Sequence, residues 1–120
     1  YWYNKNMNNN MFFKMTVRFY AADHKVFGPG VAQLLHRVQE YHSLRAAALS
    51  MDMAYSKAWR IVNEAEGQLG CKLIERDGAR GSTLTPAGER AIEVYETLQA
   101  EINEVIATRA NDLIASINQK

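Results

Sequence analysis

The chain has 120 residues, is 48% hydrophobic and 22% charged, and has a formal net charge of +1. This length and composition suit one domain with its own core plus an appendage. The single cysteine excludes an intrachain disulfide. No apolar run approaches the roughly 18 residues of a membrane span, and Met11-Phe12-Phe13 is too short for a signal peptide. We therefore expect a cytoplasmic protein with no membrane partner.

The N-terminal part of the sequence predicts an irregular start followed by a β-hairpin. Residues 1–11 open with the Asn-rich stretch YWYNKNMNNN, which has no helical or strand period and predicts a disordered or adventitious N-terminus. The chain begins with Tyr, so part of this stretch can be foreign to the natural protein. Residues 12–20 contain strand-forming side chains, and residues 25–27 can return as a second short strand. Gly28-Pro29-Gly30 ends this hairpin.

Three helices are predicted next. Apolar residues at the i, i+3, i+4, i+7 spacing predict a helix over residues 31–41. Ser43 is suited to cap a second helix over residues 44–50, and a third helix over residues 55–68 is expected to end at Gly70. Trp59 is expected at the edge of the buried stripe of this helix and is favoured as a core residue. The stripe is expected to comprise Ala58, Ile61, Val62, Ala65 and Leu69.

A second hairpin and a long helix complete the predicted elements. Residues 71–76 and 82–85 are expected to form strands that a Gly-containing turn connects. Thr85 then caps a helix over residues 86–117, with Pro86 in its first position. The apolar seam of this helix is longer than a small domain can cover, so we expect it to pack against a second copy. The expected dimerisation residues are Tyr95, Leu98, Ile102, Val105, Ile106 and Leu113.

The order of these elements is that of a winged helix-turn-helix. The predicted fold class is mostly α with small β (α+β), comprising a winged helix-turn-helix over residues 12–85 with an N-terminal β-hairpin. Residues 86–120 are expected to form a C-terminal dimerisation helix. A positive surface is compatible with the net charge, because basic residues predominate in residues 1–42 and acidic ones in residues 89–120. Random surface charge is the alternative explanation.

Residues 43–62, SLRAAALSMDMAYSKAWRIV, contain the features of a helix-turn-helix. Ala47 or Ala48, in the helix over residues 44–50, allows the helix over residues 55–68 to cross it closely. Asp52 stands where a glycine is frequent and is tolerated in the left-handed conformation. The exposed start of the third predicted helix, over residues 55–68, offers side chains that can contact base edges or phosphates. These are Tyr55, Ser56, Lys57 and Arg60.

A helical hairpin with solvated charges is the alternative interpretation of this stretch. Arg76 and Arg80 favour the DNA-binding interpretation, because they flank the Gly-containing loop of the second hairpin. That loop can contact the duplex backbone or the minor groove. Two basic elements in this order therefore predict a recognition helix and a wing.

Several motifs resemble a known family. Ser43-x-x-Ala46-Ala47-x-x-x-Met51, Leu69-Gly70-x-x-Leu73-Ile74-Glu75-Arg76 and Leu84-Thr85-Pro86-Ala87-Gly88 resemble the N-terminal DNA-binding domain of LysR-type regulators. Gly28-Pro29-Gly30, Tyr55-x-x-Ala58-Trp59-x-x-Val62 and a strand pair before the first helix resemble more closely the molybdate-responsive ModE regulators. The resemblance covers about residues 15–100.

This resemblance implies a dimeric, sequence-specific transcription regulator of bacterial or archaeal type that binds double-stranded DNA at an inverted repeat. Recognition-helix side chains would contact bases, the start of the preceding helix would contact phosphate, and the wing would lie on the backbone. The implied DNA-binding residues are Ser43, Arg45, Tyr55, Ser56, Lys57, Arg60, Arg76 and Arg80.

The sequence departs from the family pattern at several places. Ala54 stands where Ser or Thr is usual, so the recognition helix is expected to lack its side-chain cap. The loop over residues 77–83 is short beside the Gly-rich wings of the molybdate family. A molybdate-binding domain has no counterpart in this sequence, so we expect no molybdate binding.

Nothing in the sequence predicts an enzyme or a cofactor. His24, His36, His42 and Cys71 lack the spacing of a metal site, and Cys71 is expected to be a half-buried small side chain. No nucleophile–base or paired-carboxylate arrangement is present in the sequence pattern.

A winged-helix docking module that binds protein and not DNA is the alternative function. The two hypotheses differ in the surface that Arg45, Lys57, Arg60 and Arg80 would form. A contiguous positive surface favours DNA, whereas neutralisation by Glu64 and Glu75 favours docking.

Overall fold

A computed structural model describes residues 3–6 and 11–118 of the chain. Two compact units are present, one over Arg18–Tyr95 and the other comprising Tyr1–Val17 and Glu96–Lys120. The strands are β1 (Tyr3–Asn6), β2 (Met11–Lys14), β3 (Phe19–Ala21), β4 (His24–Phe27), β5 (Ile74–Arg76) and β6 (Ser82–Leu84). The helices are α1 (Pro29–Tyr41), α2 (Leu44–Ser50), α3 (Tyr55–Leu69) and α4 (Pro86–Ala115), with short 3₁₀ turns at Gly78–Arg80 and Ser116–Asn118.

The unit over Arg18–Tyr95 is a winged helix-turn-helix, which confirms the predicted fold class. β3 and β4 form an antiparallel hairpin before α1, and β5 and β6 form a second one after α3. In the second hairpin Ile74 pairs with Leu84 and Arg76 with Ser82. The helix-turn-helix consists of α2 and α3, and the wing is the β5–β6 hairpin with its connecting turn.

The core of this unit lies among the helices and the base of the wing. Leu34, Leu35 and Val38 of α1 are fully buried, as are Ala47 and Ala48 of α2. The two alanines confirm the prediction of small side chains in α2 where another helix packs closely. Burial of apolar side chains of this kind is the dominant stabilising term in such a domain.

The predicted stripe of α3 is only partly correct. Ala58, Val62 and Ala65 are buried, whereas Ile61 is half-buried. Leu69 is 45% exposed, because it is the last residue of the helix and Gly70 turns the chain away in the left-handed conformation. The prediction that Gly70 ends the helix is confirmed.

Tyr95 was predicted to be a dimerisation residue, and this is wrong. Its side chain is 1% exposed, because its ring lies 5.6 Å from Phe27 and 6.2 Å from Phe19, between centroids, in the core of its own unit. Desolvation by this burial raises the pKa of Tyr95, and the positive charge of Arg18 partly opposes the increase. This side chain is therefore not available to a second copy.

The strand predicted over residues 12–20 is interrupted. β2 ends at Lys14, and residues 15–18 have no regular structure. The side-chain amide of Gln99 explains the interruption, because its oxygen accepts a hydrogen bond from the Val17 amide at 3.0 Å and its nitrogen donates to the Met15 carbonyl at 2.7 Å. These backbone groups are thus satisfied by a side chain and not by a strand ladder.

The expectation of an irregular N-terminus is wrong for the residues that form β1. β1 pairs antiparallel with β2, with Tyr3 opposite Lys14 and Asn6 opposite Met11. Backbone amides and carbonyls form the ladder whatever the side chains, so an Asn-rich composition does not exclude a strand. Residues 1–2 and 7–10 of that prediction lie outside the described residues.

Three predicted boundaries also move. α1 begins at Pro29 and not at residue 31, because proline has no N–H to leave unsatisfied in the first turn of a helix. β5 begins at Ile74, and Cys71 before it is exposed and not half-buried. α4 ends at Ala115 and gives way to a 3₁₀ turn, whereas the helix was predicted to continue to residue 117.

The long helix presents apolar side chains from Leu98 onward. Leu98, Val105 and Leu113 are 36%, 55% and 54% exposed, and Ile102 and Ile106 are half-buried. Gln99 on the same helix is buried. Among the described residues, no helix is long and apolar enough to cross a membrane.

Candidate nucleic-acid interface

The start of α2 is fixed by a side-chain cap. The Oγ of Ser43 accepts a hydrogen bond from the Ala46 amide at 3.0 Å, which confirms the predicted N-cap. Arg45 lies in the first turn of α2 and is exposed. A capped helix start with an exposed arginine is suited to contact a phosphate.

The turn between α2 and α3 depends on one left-handed residue. Asp52 has a φ of 53°, which confirms that Asp adopts the conformation for which glycine is frequent. The Met53 amide donates to the Ala48 carbonyl at 2.9 Å. Arg37 of α1 adds a tie to the end of α2, because its Nη1 donates to Ser50 Oγ at 2.9 Å and to the Ser50 carbonyl at 3.2 Å.

The outward surface of α3 is polar and partly basic. Ala54 caps the helix without a side-chain hydrogen bond, as its residue type predicted. Ser56, Lys57 and Arg60 are exposed, on the opposite side from Ala58 and Val62. Asn63 is also exposed and lies on this surface, seven residues after Ser56. It was missed in the sequence prediction, although the i, i+4, i+7 spacing of 56, 60 and 63 indicates it.

Two arginines and two aromatic residues form a continuous cluster beside this surface. We call Arg45, Tyr55, Trp59 and Arg76 the arginine–aromatic cluster. The Cζ of Arg45 is 4.1 Å from the centre of the Tyr55 ring, and the Cζ of Arg76 is 4.0 Å from the centre of the Trp59 ring. The two rings meet edge to face at 6.4 Å, and Arg76 Nη2 donates to the Tyr55 hydroxyl at 2.6 Å.

This cluster changes the expected roles of its aromatic members. Tyr55 was predicted to contact DNA directly, but its hydroxyl bonds Arg76 and one ring face lies against Arg45. Trp59 was predicted at the edge of the buried stripe and favoured as a core residue; its ring is half-buried, as the edge position implies, and it also contacts the Arg76 guanidinium. A guanidinium stacked on a ring keeps its in-plane N–H groups directed outward.

The base of the wing is attached to α3 by a buried carboxylate. Glu66 is 8% exposed, and its Oε2 accepts hydrogen bonds from the Leu73 amide at 2.8 Å and the Ile74 amide at 3.2 Å. Its Oε1 lies 3.7 Å from Lys72 Nζ. Sequence reasoning missed this residue, because the seven- and eight-residue separations belong to no local motif.

The other side of the wing contacts the end of α1. The Ser82 amide donates to the His42 carbonyl at 2.9 Å. Gly81 has a φ of 97°, and a Cβ added to it would overlap that same carbonyl oxygen. Glycine at this position therefore allows the wing to approach the helix-turn-helix.

Two of the predicted DNA-binding arginines form surface ion pairs. Arg60 lies 3.8 Å from Glu64, and Arg80 lies 3.8 Å from Asp77. All four side chains are more than half exposed, so each pair contributes little and can open to a competing phosphate. Glu64 thus contacts one arginine of the surface that distinguishes DNA binding from docking, whereas the contacts described for Arg45 are aromatic.

Metal-binding side chains do not assemble in the described ranges. No group of three His, Cys, Asp or Glu side chains there is placed to bind a metal ion. Cys71 is exposed at the end of α3.

The helix-turn-helix of α2 and α3, followed by the β5–β6 wing, defines a winged helix-turn-helix domain. Residues 31–89 match the family model described as bacterial regulatory helix-turn-helix protein, lysR family. This segment is therefore a LysR-family helix-turn-helix DNA-binding domain, which supports a DNA-binding transcription regulator. No curated protein matches the chain.

Proposed function

We propose that this protein is a sequence-specific transcription regulator that binds an inverted repeat in duplex DNA as a homodimer. The observation that carries the proposal is the exposed polar surface of α3 within a LysR-family helix-turn-helix segment. A major groove admits one α-helix, and the groups on this surface are of the types that contact base edges. The β3–β4 hairpin before α1 supports a ModE-like variant of the family, for which we propose neither a cofactor nor molybdate binding.

Base contacts are assigned to the outward side chains of α3. Lys57 and Arg60 can donate to guanine O6 and N7, and Ser56 can donate or accept. Asn63 can form the paired hydrogen bonds with adenine for which Asn is suited. Arg60 must leave Glu64 to do so, and the exposure of that pair makes the exchange inexpensive.

Phosphate contacts are assigned to the start of α2 and to the wing. Ser43 uses its hydroxyl oxygen to accept from the Ala46 amide, and the hydroxyl proton is still able to donate to a phosphate. Arg45 adds a positive charge in the same turn. Arg76 and Arg80 are exposed on the wing and can lie along the backbone.

Dimerisation is assigned to the part of α4 from Leu98 onward. Exposed or half-buried apolar side chains there would be covered by the same helix of another copy, in a symmetric contact. These side chains are Leu98, Ile102, Val105, Ile106 and Leu113. Two symmetry-related recognition helices would enter successive major grooves, so the operator is an inverted repeat.

Binding of fluorescently labelled genomic fragments across a salt series tests this function. Wild type should bind a subset tightly, and the logarithm of its affinity should fall linearly with the logarithm of the salt concentration. Lys57→Ala/Arg60→Ala should lose selectivity. Arg90→Ala is the matched control, because Arg90 pairs with Glu93 on α4 as Arg60 pairs with Glu64 on α3.

Two results would contradict the proposal. One is the absence of binding to any fragment. The other is weak binding that is equal for all fragments and indifferent to the double substitution, which would favour the docking module.

A further inference from the structure

The arginine–aromatic cluster joins three elements that contribute separately to the proposed DNA contacts. Arg45 comes from α2, Tyr55 and Trp59 come from the first turns of α3, and Arg76 comes from the end of β5, next to the connecting turn of the wing. The members touch in sequence, from the Arg45 guanidinium on the Tyr55 ring to the Arg76 guanidinium on the Trp59 ring. The hydrogen bond from Arg76 to the Tyr55 hydroxyl closes the arrangement.

The geometry restricts both arginines without neutralising them. Their described partners are ring faces and a phenol oxygen, whereas Arg60 and Arg80 lie beside carboxylates. A free arginine side chain has many rotamers, and binding a phosphate must select one of them. Stacking on a ring restricts the rotamers of each arginine before DNA binds. The N–H groups other than the one that Arg76 donates to Tyr55 can still donate to a phosphate.

The same geometry gives Tyr55 two contacts within the cluster, and its hydroxyl proton can still donate to a DNA acceptor. Its hydroxyl is already an acceptor at 2.6 Å, and one ring face is covered by Arg45. Trp59 is half-buried beside it.

We propose that Tyr55 and Trp59 are positioning residues, which fix the guanidinium groups of Arg45 and Arg76 so that one duplex backbone meets both. The inference rests on the proposed DNA-binding function, and it states which side chains orient the phosphate-binding arginines of that site. Trp59 acts through Arg76, and its ring contributes to affinity only while that guanidinium is present. An exposed stacking contact of this kind corresponds to about a two- to fivefold change in affinity.

A double-mutant cycle on a labelled random-sequence duplex tests the inference, because phosphate contacts do not depend on the operator. Trp59→Ala should weaken binding about two- to fivefold in the wild-type background. In an Arg76→Ala background the same substitution should have no further effect. Trp59→Phe, which keeps a ring face, should restore most of the affinity.

Arg80→Ala provides the matched control background. Arg80 is an exposed arginine of the same wing that pairs with Asp77 and lies outside the arginine–aromatic cluster. Trp59→Ala should therefore weaken binding as much in the Arg80→Ala background as in wild type. A general structural defect would instead give equal losses in both arginine backgrounds, and that result would overturn the inference.

Trp59 fluorescence tests the cluster in the absence of DNA. In a Trp2→Phe background Trp59 is the remaining tryptophan of the chain. Arg76→Ala should move its emission to longer wavelength, because water replaces the guanidinium on the ring face, whereas Arg80→Ala should leave it unchanged. An unchanged emission in Arg76→Ala would overturn the inference. Failure of the wild type to bind any duplex would overturn the proposed function, and this inference with it, whereas binding with additive losses would overturn only the inference.

Discussion

The attachment of the wing to α3 depends on the buried carboxylate of Glu66. Its Oε2 accepts from two backbone amides, those of Leu73 and Ile74, at 2.8 and 3.2 Å. Both of these residues are buried, so water has little access to amides that lose their acceptor. Glu66→Ala removes that acceptor from both amides at once.

The expected cost follows from these contacts. A hydrogen bond to a charged group contributes about 1.5–3 kcal/mol, so two such bonds suggest a loss of roughly 3–6 kcal/mol. Release of the ordered glutamate side chain and the better helix propensity of alanine offset about 1–2 kcal/mol of it. The ion pair with Lys72 adds little, because that lysine side chain is 78% exposed. We expect Glu66→Ala to lower the free energy of unfolding by about 2–4 kcal/mol.

Glu66→Gln is the matched control, because its amide oxygen can still accept from both backbone groups. It should lose about 1 kcal/mol or less of stability, from the weaker acceptor and the lost charge. Urea unfolding followed by far-UV circular dichroism measures both variants. Hydrogen exchange of the Leu73 and Ile74 amides adds a local measurement, and these amides should exchange faster in Glu66→Ala alone. Equal destabilisation by the two substitutions, or a stable Glu66→Ala, would refute the reasoning.

Three further substitutions test other parts of the structure. Ala54→Ser should stabilise the protein by about 0.5–1 kcal/mol in urea unfolding, because α3 has no side-chain cap; no gain would contradict the cap assignment. Burial raises the pKa of Tyr95, so the folded state disfavours the phenolate and stability should fall as pH rises above the ordinary value of about 10. Tyr95→Phe should reduce that fall in unfolding measured against pH, and an unchanged profile would contradict it. Gln99→Leu should accelerate hydrogen exchange at the Val17 amide, its backbone partner, and unchanged protection there would show that the bond is not formed.

Local signals in the sequence were sufficient for the helix-turn-helix. Ser43 predicted the cap of α2, Asp52 the left-handed turn, and Gly70 the end of α3, and the structure confirms each. Capping and positive φ depend on one residue and its immediate neighbours, so a sequence reveals them directly. The missing cap at Ala54 was predicted on the same basis.

Contacts between distant residues explain what the sequence did not predict. Gln99 bonds the backbone of a segment more than eighty residues away, and Glu66 bonds the amides at the start of β5, yet neither belongs to a local pattern. The position of Tyr95 in the apolar period of α4 fits a core residue and an interface residue equally well. Periodicity identifies the apolar side of a helix, but it does not show whether the same chain or a second copy packs against that side. The contact of Trp59 with Arg76 was not predicted for a related reason, since its arginine partner comes from the wing.

The proposed function requires two copies of this protein to bind one inverted repeat. Selection of bound sequences from a random duplex library, using the full chain, tests it most directly. We expect enrichment of two identical half-sites in opposite orientation, with centres about one helical turn, or roughly 10 base pairs, apart. Enrichment of a single unrepeated half-site would contradict the dimer, and the absence of any enriched sequence would contradict sequence-specific DNA binding.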